Sequence, residues 1–145
     1  MNLEERGRKY FKALGINPDT KGRAYEEKLL DAVPVCEKGL KNEGCEISVY
    51  CFLFYTYVEV NMLTSEWTFQ GSAGGVGIPG GMESAGDIYY DNIDTLLKAT
   101  TFGLAFVAAD GGIVQVTWGT SGNATAAAVG EGAGVFAGSG SWKMT

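Results

Sequence analysis

A mainly β fold is what the sequence predicts: about seven to eight short antiparallel strands closed into a barrel, with a short helix among them and two or three α-helices ahead. Three observations carry it. The 145 residues are 46% apolar and 12% aromatic, enough for one domain to bury a core. Charge divides the chain, because residues 1–46 hold 9 bases and 9 acids, whereas residues 47–145 hold only Lys98 and Lys143 against 8 acids. The net charge of -6 therefore lies in the second part. Glycine divides it too, with 17 of the 22 glycines falling between Gly71 and Gly140, a stretch too poor in long helix formers for a bundle. We read residues 1–46 as a helical segment packing on the barrel, and residues 47–145 as the barrel itself.

In the first part, Leu3, Tyr10, Phe11 and Leu14 recur at helical spacing between charges, and Gly15 suits a C-terminal cap. A first amphipathic helix follows. Asn17-Pro18-Asp19 offers an N-cap, a proline at the first helical position and an early acid. A second helix should then run to about Pro34, with Tyr25, Leu29, Leu30 and Val33 on one face. Residues 35–45 are expected to hold a short third helical turn with Cys36 and Leu40 inward. The alternative role for these helices is partner binding or membrane-surface contact, but Glu4, Glu5, Glu26 and Glu27 keep their faces from being simply basic.

From Ile47 the pattern changes to β-branched and aromatic residues through Leu63, one long bent strand or two. One face carries Ile47, Val49, Cys51, Leu53, Tyr55 and Tyr57, the other Tyr50, Phe52, Phe54, Val58 and Val60. Both are apolar, so each needs a cover, the barrel interior on one side and the N-terminal helices on the other. Further strands are expected at Ser65 to Gln70, around Glu83 to Tyr90, at Thr101 to Ala109, Ile113 to Thr120, Ala124 to Val129 and Gly134 to Trp142. Asp91 to Lys98 reads as a short helix with early acids at its positive end. Asp110-Gly111-Gly112 is a hairpin turn signature. Small residues and glycines in the last strands permit the curvature that closure requires, which favours a barrel over a sandwich.

The absence of histidine is the sharpest chemical fact. It removes the commonest general base, the commonest zinc ligand and every serine-histidine or cysteine-histidine arrangement. The acidic balance, with a pI near 4.6, has the wrong sign for nucleic acid. Gly71 to Gly81 and Asp110-Gly-Gly lack the strand-glycine-helix order of a dinucleotide site and the Gly-Lys-Ser/Thr of a phosphate loop. No cofactor is therefore expected. Cys36, Cys45 and Cys51 lack metal-knuckle spacing and read as packing thiols. Glu83, Asp87, Asp91 and Asp94, with Tyr89 and Tyr90, form an acidic stretch whose order matches no calcium loop, so no metal is expected. The start, Met1-Asn2-Leu3-Glu4-Glu5, has no basic and apolar leader, which reads as cytoplasmic as written, or secreted if a signal has been trimmed.

Gly71-Ser-Ala-Gly-Gly-Val-Gly-Ile-Pro-Gly-Gly81, the helix-like Asp91 to Lys98, and Gly132-Ala-Gly-Val-Phe-Ala-Gly-Ser-Gly-Ser-Trp142 follow one another in an order and spacing that resemble the virulence-associated protein (Vap) family of rhodococci. The likeness spans roughly residues 50–145. It implies a compact eight-stranded antiparallel β-barrel with a short helix closing one end and a mainly apolar, filled core. It also implies a non-enzymatic, secreted protein tied to survival inside phagocytic cells and, for some members, to effects on membranes.

Were the protein an enzyme, acid-base work would fall to carboxylates or tyrosines. Glu59 is the candidate, with Tyr55 and Tyr57 on its face. Pointing into an apolar interior it would acquire a raised pKa. The plainer expectation is a strand-end carboxylate turned to solvent beside Asn61. Tyr50, Phe52, Phe54, Trp67, Phe106 and Trp118 could line a ligand cavity, although an eight-stranded barrel has room only for side chains or one small ligand. The sequence reading is thus a non-catalytic barrel engaged with a host factor or with membrane lipid at acidic pH. The rival is a barrel that binds a small apolar molecule or works as a cofactor-free cyclase or isomerase, with the N-terminal helices as a lid.

Overall fold

The computed structural model describes residues 1–22, 41–74, 80–107, 112–118, 124–129 and 135–144. Helix α1 (Leu3–Ala13) opens the chain. Asn2 caps it by accepting from the Glu5 N–H, and Glu4 and Glu5 lie at its positive end. At the other end Leu14 is the C-cap and Gly15 takes φ 73°. The Ile16 N–H then reaches back to the Phe11 carbonyl at 2.9 Å, a glycine-dependent helix stop. Leu3, Gly7 and Phe11, four residues apart, form the buried stripe. Leu14 was expected on that stripe, but as the C-cap it is rotated outward and exposed.

Eight strands follow: β1 (Lys41–Cys51), β2 (Tyr55–Met62), β3 (Trp67–Gly74), β4 (Gly80–Tyr90), β5 (Thr101–Val107), β6 (Ile113–Trp118), β7 (Ala124–Val129) and β8 (Val135–Met144). Helix α2 (Ile93–Leu97) sits between β4 and β5, capped by Asn92, whose side chain accepts from the Asp94 and Thr95 N–H groups. All pairings are antiparallel and the sheet closes as β1-β2-β3-β8-β5-β6-β7-β4. A closed eight-stranded antiparallel barrel with a short helix at one end is what the sequence led us to expect.

Two local expectations change. Residues 41–45 are strand rather than a helical turn, because Lys41 to Glu46 pair in register with Tyr90 to Ala85 of β4, and cross-strand pairing outweighs a weak local preference. Asn17 to Thr20, the expected start of the second helix, form a turn rather than a helix; its face residues Tyr25, Leu29, Leu30 and Val33, and Cys36 and Leu40 of the expected third turn, fall outside the described residues. The turn residues Asp110 and Gly111 also fall outside them, although β5 and β6 pair as the hairpin signature requires.

Inward-facing residues follow strand parity, odd in β1 and β3 and even in β2 and from β4 onward. In β1 the odd residues Cys45, Ile47 and Val49 point in; in β2 the even residues Val58, Val60 and Met62 do. The reversal occurs across Phe52 to Phe54, where the Phe52 N–H bonds the Tyr55 carbonyl at 2.8 Å. Opposite these aliphatics, Phe69, Phe102, Trp118 and Trp142 form one ring cluster with centroids 5.1–5.4 Å apart. The floor beneath the rings is glycine: a Cβ at Gly71 would lie 2.7 Å from the Phe69 ring and 2.8 Å from the Phe102 ring.

Two further glycines sit where strands approach too closely for any side chain. A Cβ on Gly86 would collide with the Ala127 carbonyl, and one on Gly138 with the Ser72 carbonyl. Gly86→Ala and Gly138→Ala should each lower stability by about 2–3 kcal/mol, the range for overpacking. Gly44→Ala, whose added carbon would meet only the Leu63 side chain at 3.5 Å, should stay within about 0.5 kcal/mol. Urea unfolding midpoints of the three variants check this, and equal midpoints would contradict it.

Candidate functional site

The parity reversal turns Tyr55, Tyr57 and Glu59 of β2 to the outside of the barrel. There they meet α1, and Leu3, Phe11, Phe52, Tyr55 and Tyr57 form a second cluster separate from the interior. Gly7 makes the approach possible, since a Cβ at that position would stand 2.9 Å from the Phe52 ring and 3.1 Å from Tyr57. Phe11 packs edge-on to Phe52 at 5.7 Å, and Tyr10 lies 5.3 Å from Tyr57.

Register lines up Gln70, Glu59, Ser48 and Glu83 as one row across β3, β2, β1 and β4. Arg6 of α1 spans it. Its Nε donates to Glu59 Oε2 at 2.8 Å and its Nη2 to Glu83 Oε1 at 3.1 Å. The Tyr57 hydroxyl donates to the same Glu59 oxygen, and Gln70 Nε2 donates to the Tyr57 oxygen at 2.7 Å. Glu59 is thus neither the solvent-facing carboxylate of the plainer expectation nor an interior acid. It is 4% exposed on the outer wall, beneath a helix that brings it a cation. The partner could not be found by spacing, because 53 residues separate Arg6 from Glu59.

Chemically this network is a clamp. The guanidinium and the phenol both bond Glu59 Oε2. The Tyr57 phenol is pushed well above its ordinary pKa, first by burial and then by its bond to the Glu59 carboxylate and by that charge. Tyr10 and Tyr55 are raised by burial, Tyr90 by burial and Glu43, and Tyr50 mainly by its hydrogen bond to Glu4. Beside the clamp, an open groove of about 690 Å³ runs between the start of α1 and β4, with Leu3, Tyr50 and Met82 in its lining and Glu4, Arg6 and Glu83 among its polar groups.

The six aromatic cavity candidates do not share one surface. Trp118 is in the interior cluster, with Phe106 and Trp67 packed partly buried against it. Phe52 belongs to the outer cluster, with Tyr50 and Phe54 against it. Nor does the structure gather the acidic stretch. Glu83 is taken by Arg6, Asp87 lies four residues along β4, and Asp91 and Asp94 flank the start of α2. Among the described residues no three metal-ligating side chains come together. Burial, followed by the charges of Asp87 and Glu43, pushes the Cys45 thiol up to about 12, and burial also raises Cys51. Both thiols thus stay protonated at neutral pH.

A network that the sequence did not suggest closes the α2 end of the barrel. Glu43 accepts from the Ser65 N–H at 3.0 Å, the Ser65 hydroxyl at 2.7 Å and the Tyr90 hydroxyl at 3.2 Å. Burial works to raise its pKa, but these bonds outweigh burial and lower it.

Two outcomes follow. Arg6→Met leaves a buried carboxylate without its cation; because the Arg6 side chain is 30% exposed, the expected loss is about 2 kcal/mol rather than the roughly 3–5 of a fully buried pair. In a double-mutant cycle with Glu59→Gln, the second substitution should restore part of that loss; additive effects in urea unfolding would rule out the coupling. The tyrosines set the alkaline limit. Their folded-state pKa values are raised, so their contribution is complete below the unfolded value of about 10 and is lost as pH rises beyond it. With Tyr25 and Tyr89 replaced by phenylalanine, tyrosinate absorbance should appear together with loss of the β-sheet signal, and tyrosinate forming earlier, in an intact barrel, would contradict this.

The family model described as Rhodococcus equi virulence-associated protein matches residues 9–143, which extends the likeness seen in the sequence forward into α1. Among solved structures, the barrel is similar to virulence-associated protein VapB from the intracellular pathogen Rhodococcus equi. The TM-score is 0.62 at 23% identity, over 72% of this chain and 98% of that one. It is also similar to virulence-associated protein VapD of the same organism, with a TM-score of 0.60 at 26% identity, over 71% of this chain and 97% of the other. No curated protein matches by sequence. With nearly its whole length matched and the same closed barrel, the chain belongs to the Rhodococcus equi virulence-associated protein family.

Proposed function

We propose that this virulence-associated barrel acts without catalysis, by contact with the host, and that it associates with anionic membrane when its surroundings acidify. The observation that carries the reading is the disposition of its carboxylates. Glu59 is consumed in the Arg6 clamp, while Glu66, Asp87, Asp91 and Asp94 are exposed and Glu83 is about half exposed. Acid neutralises exposed carboxylates, so acidification removes negative charge from the surface while the core remains buried. Repulsion from anionic lipid then falls while the lysines keep their charge. The local proton concentration at an anionic membrane is higher than in bulk, which moves the transition toward milder pH.

A second reading has one observation behind it. The indole N–H groups of Trp118 and Trp142 are buried without a hydrogen-bond partner among the described residues, and buried donors ordinarily have one. A small apolar molecule bearing an acceptor would satisfy them. In that reading α1 is not a lid over the barrel mouth, because it packs on the outer wall.

Sedimentation with vesicles of phosphatidylserine and phosphatidylcholine, at neutral and mildly acidic pH, separates the two. The membrane reading expects binding that appears on acidification, weakens with added salt and is missing with phosphatidylcholine alone, while circular dichroism shows the fold intact. No binding at either pH removes it and directs attention to the interior.

A further inference from the structure

We infer that the α2 end of the barrel is the surface that meets the bilayer, through the lysines Lys41, Lys98 and Lys143 set around the apolar tips Leu63, Trp67 and Met144. This rests on the membrane reading above and assigns it a face.

Topology brings the parts together. Strands β1, β3 and β5 begin at this end and β2, β4, β6 and β8 finish there, so Lys41, Lys98 and Lys143 converge although they are far apart in sequence. They are the only basic residues of positions 41–145. All three are exposed, and none is in an ion pair among the described residues. The lysines of the barrel are therefore gathered at its α2 end.

The same end exposes apolar side chains. Leu63 in the β2–β3 turn is 61% exposed and Met144 at the end of β8 is 68% exposed. Trp67, paired with Met144 in register, is half-buried between them, as are Ile93 and Leu97 of α2. Leucine and methionine tips with a tryptophan at the rim and lysines around it suit the boundary between headgroups and acyl chains. A soluble partner would require a complementary acidic pocket; an anionic headgroup layer needs only the charge.

The acids facing this surface are Glu66 on the β2–β3 turn, Asp91 and Asp94 beside α2, and Glu43 on β1. Glu43 is engaged by Ser65 and Tyr90. Among the described residues, three lysines thus face four acids here, so neutralising exposed carboxylates leaves the lysines in excess.

The test compares the whole protein with two sets of variants on phosphatidylserine/phosphatidylcholine vesicles at acidic pH. Lys41→Gln/Lys98→Gln/Lys143→Gln should lower partitioning about 100-fold, from the usual contribution of a lysine near an anionic surface. Lys9→Gln/Lys12→Gln, on the exposed face of α1, should bind as the parent does. Quenching of tryptophan fluorescence by brominated lipid should be strong in the parent and largely lost in Trp67→Phe, because Trp118 and Trp142 are buried. If the parent binds but the barrel-end triple variant binds equally, or if only the α1 variant loses binding, this face is wrong and the membrane reading stands. If the parent binds at no pH, the membrane reading fails and this assignment with it.

Discussion

The change of inward parity between β1 and β2 organises the outer wall of the molecule. Between Cys51 and Tyr55 the inward set changes from odd to even residues, so Tyr57 and Glu59 leave the interior while Val58 and Val60 enter it. Without the reversal, two tyrosines and a carboxylate would have to share the barrel core with Phe69 and Trp118, where an unpaired charge costs several kcal/mol. With it, the barrel keeps an interior of aliphatic residues and packed rings, and its outer wall acquires an aromatic patch too apolar to be left in water. Helix α1 exists as a structural necessity of that patch.

The way α1 meets the patch also decides which chemistry is open to the protein. An eleven-residue helix is marginal by itself, and this one is fixed by a stripe of Leu3, Gly7 and Phe11 and by Arg6 reaching two strands. The same guanidinium that aligns the helix neutralises the one carboxylate that burial had set apart. Stability and chemical reactivity therefore compete for Glu59, and the ion pair takes it. What is left to titrate freely is the surface, which is why we place function there.

Much of the fold could be read from the residues. Short β-branched and aromatic runs separated by glycine, from Ile47 to Trp142, specify the strands, although the charge step near residue 46 falls inside β1 rather than at its start. Lys41 to Glu46 were misread because Lys-Asn-Glu-Gly has no strand character of its own; only the pairing with Tyr90 to Ala85 makes it a strand. The site was harder. Glu59 stood out as a carboxylate among aromatics, yet its environment depends on a parity change that no pattern of residues announces and on an arginine 53 positions away. The Glu43–Ser65–Tyr90 network was invisible for the same reason, since it is assembled by register between strands remote in sequence.

The position of β8 has a consequence for how the chain matures. This last strand is seated between β3 and β5, so a nascent chain that has emerged only as far as β7 has two unpaired ladder edges and an aromatic cluster lacking Trp142. Exposed edges of that kind recruit other chains. The barrel therefore cannot be assembled piecemeal during synthesis: its N-terminal strands must wait until the final segment arrives, and closure is a late, long-range event that makes folding slow. Any machinery that handles this protein before β8 is available meets an open sheet, not a barrel.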